Sequence, residues 1–282
     1  MNSAMPVDPA GADAQPPISI SSRSEVGARS HNEDYLQHGA LSAGWYAVLS
    51  DGAGGHGNGA VAADLVVRIV SYELGAVGDG GAEATSGSVD WPATLTGVAH
   101  AANDALNRRQ VGVSGKQRMH ATLVALWIDR ERRRAAWTHV GDSRLYMLRR
   151  GRVEAVTRDD SLLQSLVDAG YVDASQARSH PQRNQLLTAI GAEDPIEPHA
   201  GGDGVVVEEG DAFLLATDGW YDPIETSDIE DTLMAAGSAA DWLDRMARLV
   251  VQRARPNQDN YSAIAVWIGD PSEVTRIPDR KS

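Results

Sequence analysis

The chain has 282 residues, 42% of them hydrophobic, enough to bury a substantial core as one large domain or two small ones. Its 39 acidic residues against 25 basic ones give a net charge of −14, which argues against a nucleic-acid surface or an anionic membrane as partner. Cysteine is absent, which excludes disulfides, thiolate zinc sites and any cysteine nucleophile.

Residues 1–17 are rich in Ala, Pro, Gly and Asp, with neither a basic start nor an apolar run, and read as a disordered tail rather than a secretory signal. No stretch has the apolar length needed to cross a bilayer, so a soluble cytoplasmic protein is expected. Ile18 to Ser24 alternates like an edge strand, and the apolar run from Trp45 stops at Asp51-Gly52. Helical spacing runs from Gly57 to Leu74, where Gly75 is expected to end the helix, and the Gly-, Ala- and Ser-rich stretch to Asp90 reads as a mobile loop. A second helix is expected from about Pro92 to Arg109.

Strands then dominate, at Ala121 to Ile128, Ala135 to Val140, Arg144 to Arg149 and near Val153. A short helix over Ser161 to Ala169 opens a polar insert reaching to about Gly204, read as a surface flap. A strand beginning at Phe213, helices over Asp228 to Ala236 and Ala239 to Arg253, and a closing strand from Tyr261 to Ile268 complete the chain. No composition break divides it. Helices grouped around strand runs indicate α+β layering rather than alternating parallel units. One domain is expected over 18–269, with its flap at about 158–204 and a C-terminal tail at 270–282.

Three strand-like runs stop on an aspartate beside a glycine: Asp51-Gly52, Gly141-Asp142 and Asp218-Gly219. Asp-Gly is also a common turn, and Asp79-Gly80 and Asp203-Gly204 read as plain loops. If the three runs share a sandwich, their ends gather at one edge, where unpaired carboxylates repel by several kcal/mol at low effective dielectric (roughly 332/(εr) kcal/mol). A divalent cation relieves that repulsion, and hard oxygen ligands suit magnesium, manganese or calcium. Gly52-Ala-Gly54-Gly-His56-Gly57 satisfies the dinucleotide pattern G-x-G-x-x-G, but no second parallel strand ending in an acid follows, so a loop close to a metal-bound water and a phosphate is the better reading.

Six motifs in order carry a resemblance. They are Gly27-Ala-Arg29-Ser-His-Asn32-Glu33-Asp34, Ser50-Asp51-Gly52-Ala-Gly-Gly55-His56, Val140-Gly141-Asp142-Ser143-Arg144, His180-Pro181-Gln-Arg183-Asn184, Ala216-Thr217-Asp218-Gly219-Trp-Tyr-Asp222 and Gln258-Asp259-Asn260. Together the chain resembles the metal-dependent protein phosphatases of the 2C type (PPM), in their compact bacterial form. The resemblance implies a four-layer α-β-β-α sandwich, with two central antiparallel sheets flanked by helices and a binuclear Mn²⁺ or Mg²⁺ site at one edge. It implies a serine/threonine protein phosphatase that attacks phosphoserine or phosphothreonine directly with a metal-bridging hydroxide, without a phosphoenzyme.

Carried over by position, Asp51 would bridge the two ions and Gly52 would offer its carbonyl to one. Asp218 and Asp259 would bind the other, and Glu33 and Asp34 would hold them or their waters. Asp142, with Asp218, would match a weaker third ion. Arg29 would clamp the phosphate through its planar fork. His56 stands five residues after Asp51 rather than two, so proton donation to the leaving oxygen competes with a structural loop role. His180 and Arg183 belong to the flap and could meet substrate.

The chain departs from the family pattern at His120-Ala121-Thr122, where Gly-Thr-Thr is usual, and at Asp159-Asp160-Ser161, where Asp-His-Ser is usual and the added charge could weaken acidic phosphopeptides. The expected partners are phosphorylated proteins made by a bacterial Ser/Thr kinase, met by a monomer. The alternative readings are a pseudophosphatase that binds phosphoproteins without turnover and a phosphatase for a small metabolite.

Overall fold

The computed structural model describes residues 17–54, 58–80, 89–173, 180, 182–183, 185–201 and 204–270. Two antiparallel sheets lie face to face. The first has the order β1-β12-β11-β7-β8, built from β1 (Ile18–Glu25), β7 (Arg144–Arg149), β8 (Arg152–Val156), β11 (Ala212–Ala216) and β12 (Tyr261–Ile268). The second has the order β10-β6-β5-β3-β2, from β2 (Asp34–Ala40), β3 (Gly44–Ala53), β5 (Leu123–Asp129), β6 (Arg134–Val140) and β10 (Val205–Val206). The short β4 (His120–Ala121) pairs with β3, and β9 (His199–Ala200) pairs with β6.

Period-two alternation places these strands between three apolar layers. Ala47, Leu49, Phe213, Leu215, Ile264 and Val266 face one another between the sheets. The alternate residues of β3, Tyr46 and Val48, pack on α1 (Asn58–Gly78) and α2 (Trp91–Arg109). On the other side Leu214, Ala265 and Trp267 pack against α4 (Asp218–Tyr221), α5 (Thr226–Ala235) and α6 (Ala239–Arg253). The expected four-layer α-β-β-α sandwich is present. Strands buried on both faces explain why β5 and β12 read as continuous apolar runs.

Several boundaries differ from expectation. Helix α1 runs through Gly75 to Gly78, because a glycine inside a helix costs only about 1 kcal/mol and the extra turn seats Gly78 on Leu41 and Trp127, its carbonyl accepting from Ala43 N at 3.0 Å. Strand β3 does not stop at Asp51 but continues to Ala53 by pairing with β4. The insert contains the expected short helix, α3 (Leu162–Asp168), capped by the Ser161 side chain, and β9; β9 and, just past the insert, β10 each pair with β6, and no periodicity announced either. Pro17, placed with the tail, accepts a hydrogen bond from Gly269 N at 2.7 Å. Residues 1–16, most of the loop after α1, and residues 271–282 lie outside the described residues. No described helix is long and apolar enough to cross a membrane.

Candidate metal centre

The antiparallel register brings six segment ends to one edge of the sandwich. Asp34 opens β2 opposite Asp51 on β3, Thr122 precedes β5, Asp142 follows β6, Asp218 follows β11 and Asp259 stands just before β12. Arg29, Glu33, Asp51, Gly52, Asp142, Asp218 and Asp259 line one cavity of about 250 Å³ there. Asp34 is buried beside it, its Oδ2 accepting from Thr217 Oγ1 at 3.1 Å and its backbone N donating to Asn32 Oδ1 at 3.0 Å.

The backbone around these carboxylates is held tightly. Thr122 N donates to Asp51 O at 2.8 Å, and its Oγ1 accepts from Asp51 N at 2.9 Å while sharing a hydrogen bond with Ser143 Oγ at 2.6 Å. Asn260 Oδ1 accepts from Glu33 N at 2.8 Å, and its Nδ2 donates to Val26 O and His31 O. The loop carrying Arg29 and Glu33 is thereby fastened to the residue after Asp259. Asn260 has no task that its motif announces in sequence; its position beside Asp259 is the one signal of this tie. Gly52 and Gly59 touch so closely that a Cβ on Gly52 would lie 2.0 Å from Gly59 O, and a Cβ on Gly59 would lie 2.8 Å from the Glu33 carboxylate. Only glycine permits that approach of α1 to the cavity wall.

The electrostatics are those of a site that needs a cation. Burial first, and then the neighbouring Asp34, Asp218, Asp142 and Asp259, push the Asp51 carboxyl well above its ordinary value. Asp218 is raised well above its range by burial and by Asp142, Asp222, Asp259 and Asp34. Burial is also the main cause for Asp34 and Asp142, each raised to about 7. Asp34 Oδ1 and Asp218 Oδ1 are buried without a hydrogen-bond partner, which is costly for a carboxylate. The donors are all oxygens, so the set suits a hard divalent ion such as Mg²⁺ or Mn²⁺. Among the described residues no three of these side chains are already closed on one ion position; they line the cavity wall.

One pairing departs from expectation. Arg29 Nη2 donates to Asp259 Oδ2 at 2.6 Å, so the expected phosphate clamp and an expected metal ligand hold each other. Opposite charges facing one cavity neutralise locally, and the Arg29 guanidinium, with its side chain 55% exposed, keeps other N–H donors free for an anion. Asp142 is positioned from behind: Tyr221 Oη donates to its carbonyl at 2.9 Å, and the Arg144 guanidinium stacks on the Tyr221 ring while forking onto Asp159 at 2.8 and 2.7 Å. Arg183 reaches Asp222 at 3.1 Å, near Asp218. His180 is spent on a local turn, its Nδ1 accepting from Gln182 N, and it lines neither cavity beside the carboxylates. His56, Pro181 and Asn184 lie outside the described residues. Of the two departures from the family pattern, His120 lines the cavity, while Asp160 is occupied by Gly141 N at 2.9 Å and His199 Nε2 at 2.8 Å.

The model of a family described as protein phosphatase 2C matches residues 22–267. The chain is 31% identical over 257 residues to the serine/threonine protein phosphatase PstP of Mycobacterium tuberculosis, an alignment covering 90% of this chain and 45% of that protein. It is 32% identical over 235 residues to the protein phosphatase PhpP of Streptococcus pneumoniae, covering 82% of this chain and 90% of the relative. The chain thus spans less than half of the first relative and nearly all of the second. A crystal structure of the PstP catalytic domain in complex with two manganese ions is 27% identical, has a TM-score of 0.74 and covers 90% of this chain and 99% of that one. With the family model spanning both sheets and every carboxylate at their shared edge, the chain belongs to the protein phosphatase 2C family.

Proposed function

We propose that this protein is a metal-dependent serine/threonine phosphoprotein phosphatase. The observation that carries the reading is the gathering of Asp34, Asp51, Asp142 and Asp218, with buried oxygens left unpartnered, around a cavity whose lip is Arg29. Asp51, Gly52, Glu33 and Asp34, with Asp218 and Asp259, would hold two Mn²⁺ or Mg²⁺ ions, Asp51 being the residue that would serve both. A weaker third ion would use Asp142 with Asp218. Such ions would supply a water activated near neutral pH and would stabilise charge on the attacking and leaving oxygens of an in-line displacement at phosphorus.

The chain's own groups do the rest. Arg29 orients the phosphate by its planar fork, and Thr122 and Asn260 fix the backbone of Asp51 and Glu33 so that little reorganisation accompanies reaction. His56 remains a candidate donor to the leaving oxygen. The binding-module reading finds no support, because each carboxylate whose loss would mark it is present. Phosphoproteins made by a Ser/Thr kinase are the proposed substrates, met by a cytoplasmic monomer. The catalytic domain is assigned to 18–269, with the segment 158–204 as its substrate-facing flap.

The test is hydrolysis of p-nitrophenyl phosphate and a phosphothreonine peptide with Mn²⁺, with and without chelator. Wild type should turn over only with metal, Asp218→Ala should be inactive, and Arg29→Ala should show a raised KM. A folded, Mn²⁺-loaded wild type without turnover would sink the reading.

A further inference from the structure

A second cavity of about 350 Å³ opens from the metal centre, sharing Arg29, Asp218 and Asp259 with it. That volume is enough for residues flanking a phosphorylated side chain. Four arginines line it: Arg29, Arg183, Arg253 and Arg255. Three are matched to acids, Arg29 to Asp259 at 2.6 Å, Arg183 to Asp222 at 3.1 Å and Arg253 to Asp228 at 2.5 and 2.9 Å. The exposed Arg255 side chain has no hydrogen-bond or ion-pair partner among the described residues.

Its support is rigid. Helix α6 stops at Arg253, and Gln258 N donates to Arg255 O at 3.0 Å, closing a turn. Gln258 then ties that turn to both sides of the centre, accepting from Ala28 N at 2.9 Å and donating from Nε2 to Gly219 O at 2.7 Å. The backbone that carries this guanidinium is thus fixed beside the phosphate site, and only the side chain's own rotamers remain to be ordered when an anion binds. The protein as a whole bears a charge of −14, so its long-range field repels acidic peptides, and any preference for them must come from a local cation of this kind.

We propose that Arg255 reads a second anionic group on the substrate, a carboxylate or a second phosphate near the phosphorylated residue. The enzyme then prefers acidic or doubly phosphorylated segments. This rests on the phosphatase reading above, and p-nitrophenyl phosphate, which has no flanking residues, separates the two.

The experiment compares kcat/KM for phosphothreonine peptides with neutral flanks, with glutamates at successive flanking positions, and with a second phosphothreonine. Wild type, Arg255→Ala and Arg255→Glu are each run at low salt. Wild type should favour one anionic set by about fivefold, the size an exposed ion pair supplies, and the arm that gains more names the anion. Arg255→Ala should lose the preference through KM, Arg255→Glu should reverse it, and all three should hydrolyse p-nitrophenyl phosphate alike. A wild type indifferent to the flanks, or a preference surviving Arg255→Glu, overturns the assignment. So does an Arg255→Ala variant that only melts earlier with its preference intact, since that marks a cation serving the C-terminal end of α6. Loss of p-nitrophenyl phosphate turnover in wild type fails the phosphatase reading itself.

Discussion

Strand β11 carries an aspartate at each end, and the two are treated oppositely. Asp211, ahead of the strand, is almost wholly buried and fully partnered: Arg149 forks onto it at 2.9 and 2.7 Å, and Glu208 N donates to it at 2.8 Å. Asp129, at the same far edge on β5, accepts from Trp91 Nε1 and Arg132 N, both at 2.7 Å. Asp218, beyond the other end of β11, faces four further carboxylates and keeps a buried oxygen without a partner. One edge of the sandwich spends its acids on stability, and the other leaves them open for an ion.

The largest test of that contrast is the pair Asp211→Ala and Asp218→Ala. Removing Asp211 takes the fork from Arg149, which keeps Glu208 at 3.2 Å and Val206 O at 2.8 Å, and leaves Glu208 N without its acceptor; it should cost about 1–3 kcal/mol in denaturant unfolding, while the rise in Tm on adding Mn²⁺ persists. Removing Asp218 should leave the chelator-treated protein as stable as wild type or more so, since it relieves repulsion. It should also abolish the Mn²⁺ rise in Tm and lower metal affinity at least about a hundredfold. If both variants lose the same stability and keep the same metal response, the two edges are not different in kind.

A smaller effect concerns pH. Asp34 and Asp142 are raised to about 7 in the folded protein against an ordinary value of 3.8. Between those values the folded state holds protons that the unfolded chain has released, so the metal-free protein should lose stability as pH rises from about 4 to 7. The loss is complete above that window and absent below it. Urea unfolding in chelator across pH 5 to 8 should show the decline, and saturating Mn²⁺ should abolish it; a metal-free profile rising with pH would contradict the repulsion. The smallest change expected is for Thr122→Val, which removes the acceptor for Asp51 N and the bond to Ser143. It should cost about 1–2 kcal/mol and lower turnover less than Asp218→Ala does, a ranking that kinetics and unfolding together can reverse.

Most of the architecture was legible along the chain. Helix α6 and strand β12 fall where their periodicity put them, because each packs one regular face or two against apolar layers. A local glycine rule ends α1 too early because tertiary contacts override it, and nothing local marks the pairing with β4 that carries β3 past Asp51. The site residues were legible as types and spacings, yet Gly141-Asp142 and Gly210-Asp211 are the same dipeptide at strand ends, and both glycines have positive φ, 98° and 86°. The mutual grip of Arg29 and Asp259, 230 positions apart, could not be seen in one dimension.

The amino-acid sequence by itself determined the layered α+β class, the strand and helix faces, the absence of thiol chemistry and the family, because periodicity, composition and motif order are local or ordinal properties. Only the tertiary structure decided which aspartates are satisfied and which are held in reserve. Partnering depends on which strand ends the antiparallel register brings together, and on whether a cation such as Arg149 stands within hydrogen-bond reach. Those are facts of distance in the folded chain, and the same Gly-Asp dipeptide takes either role according to them.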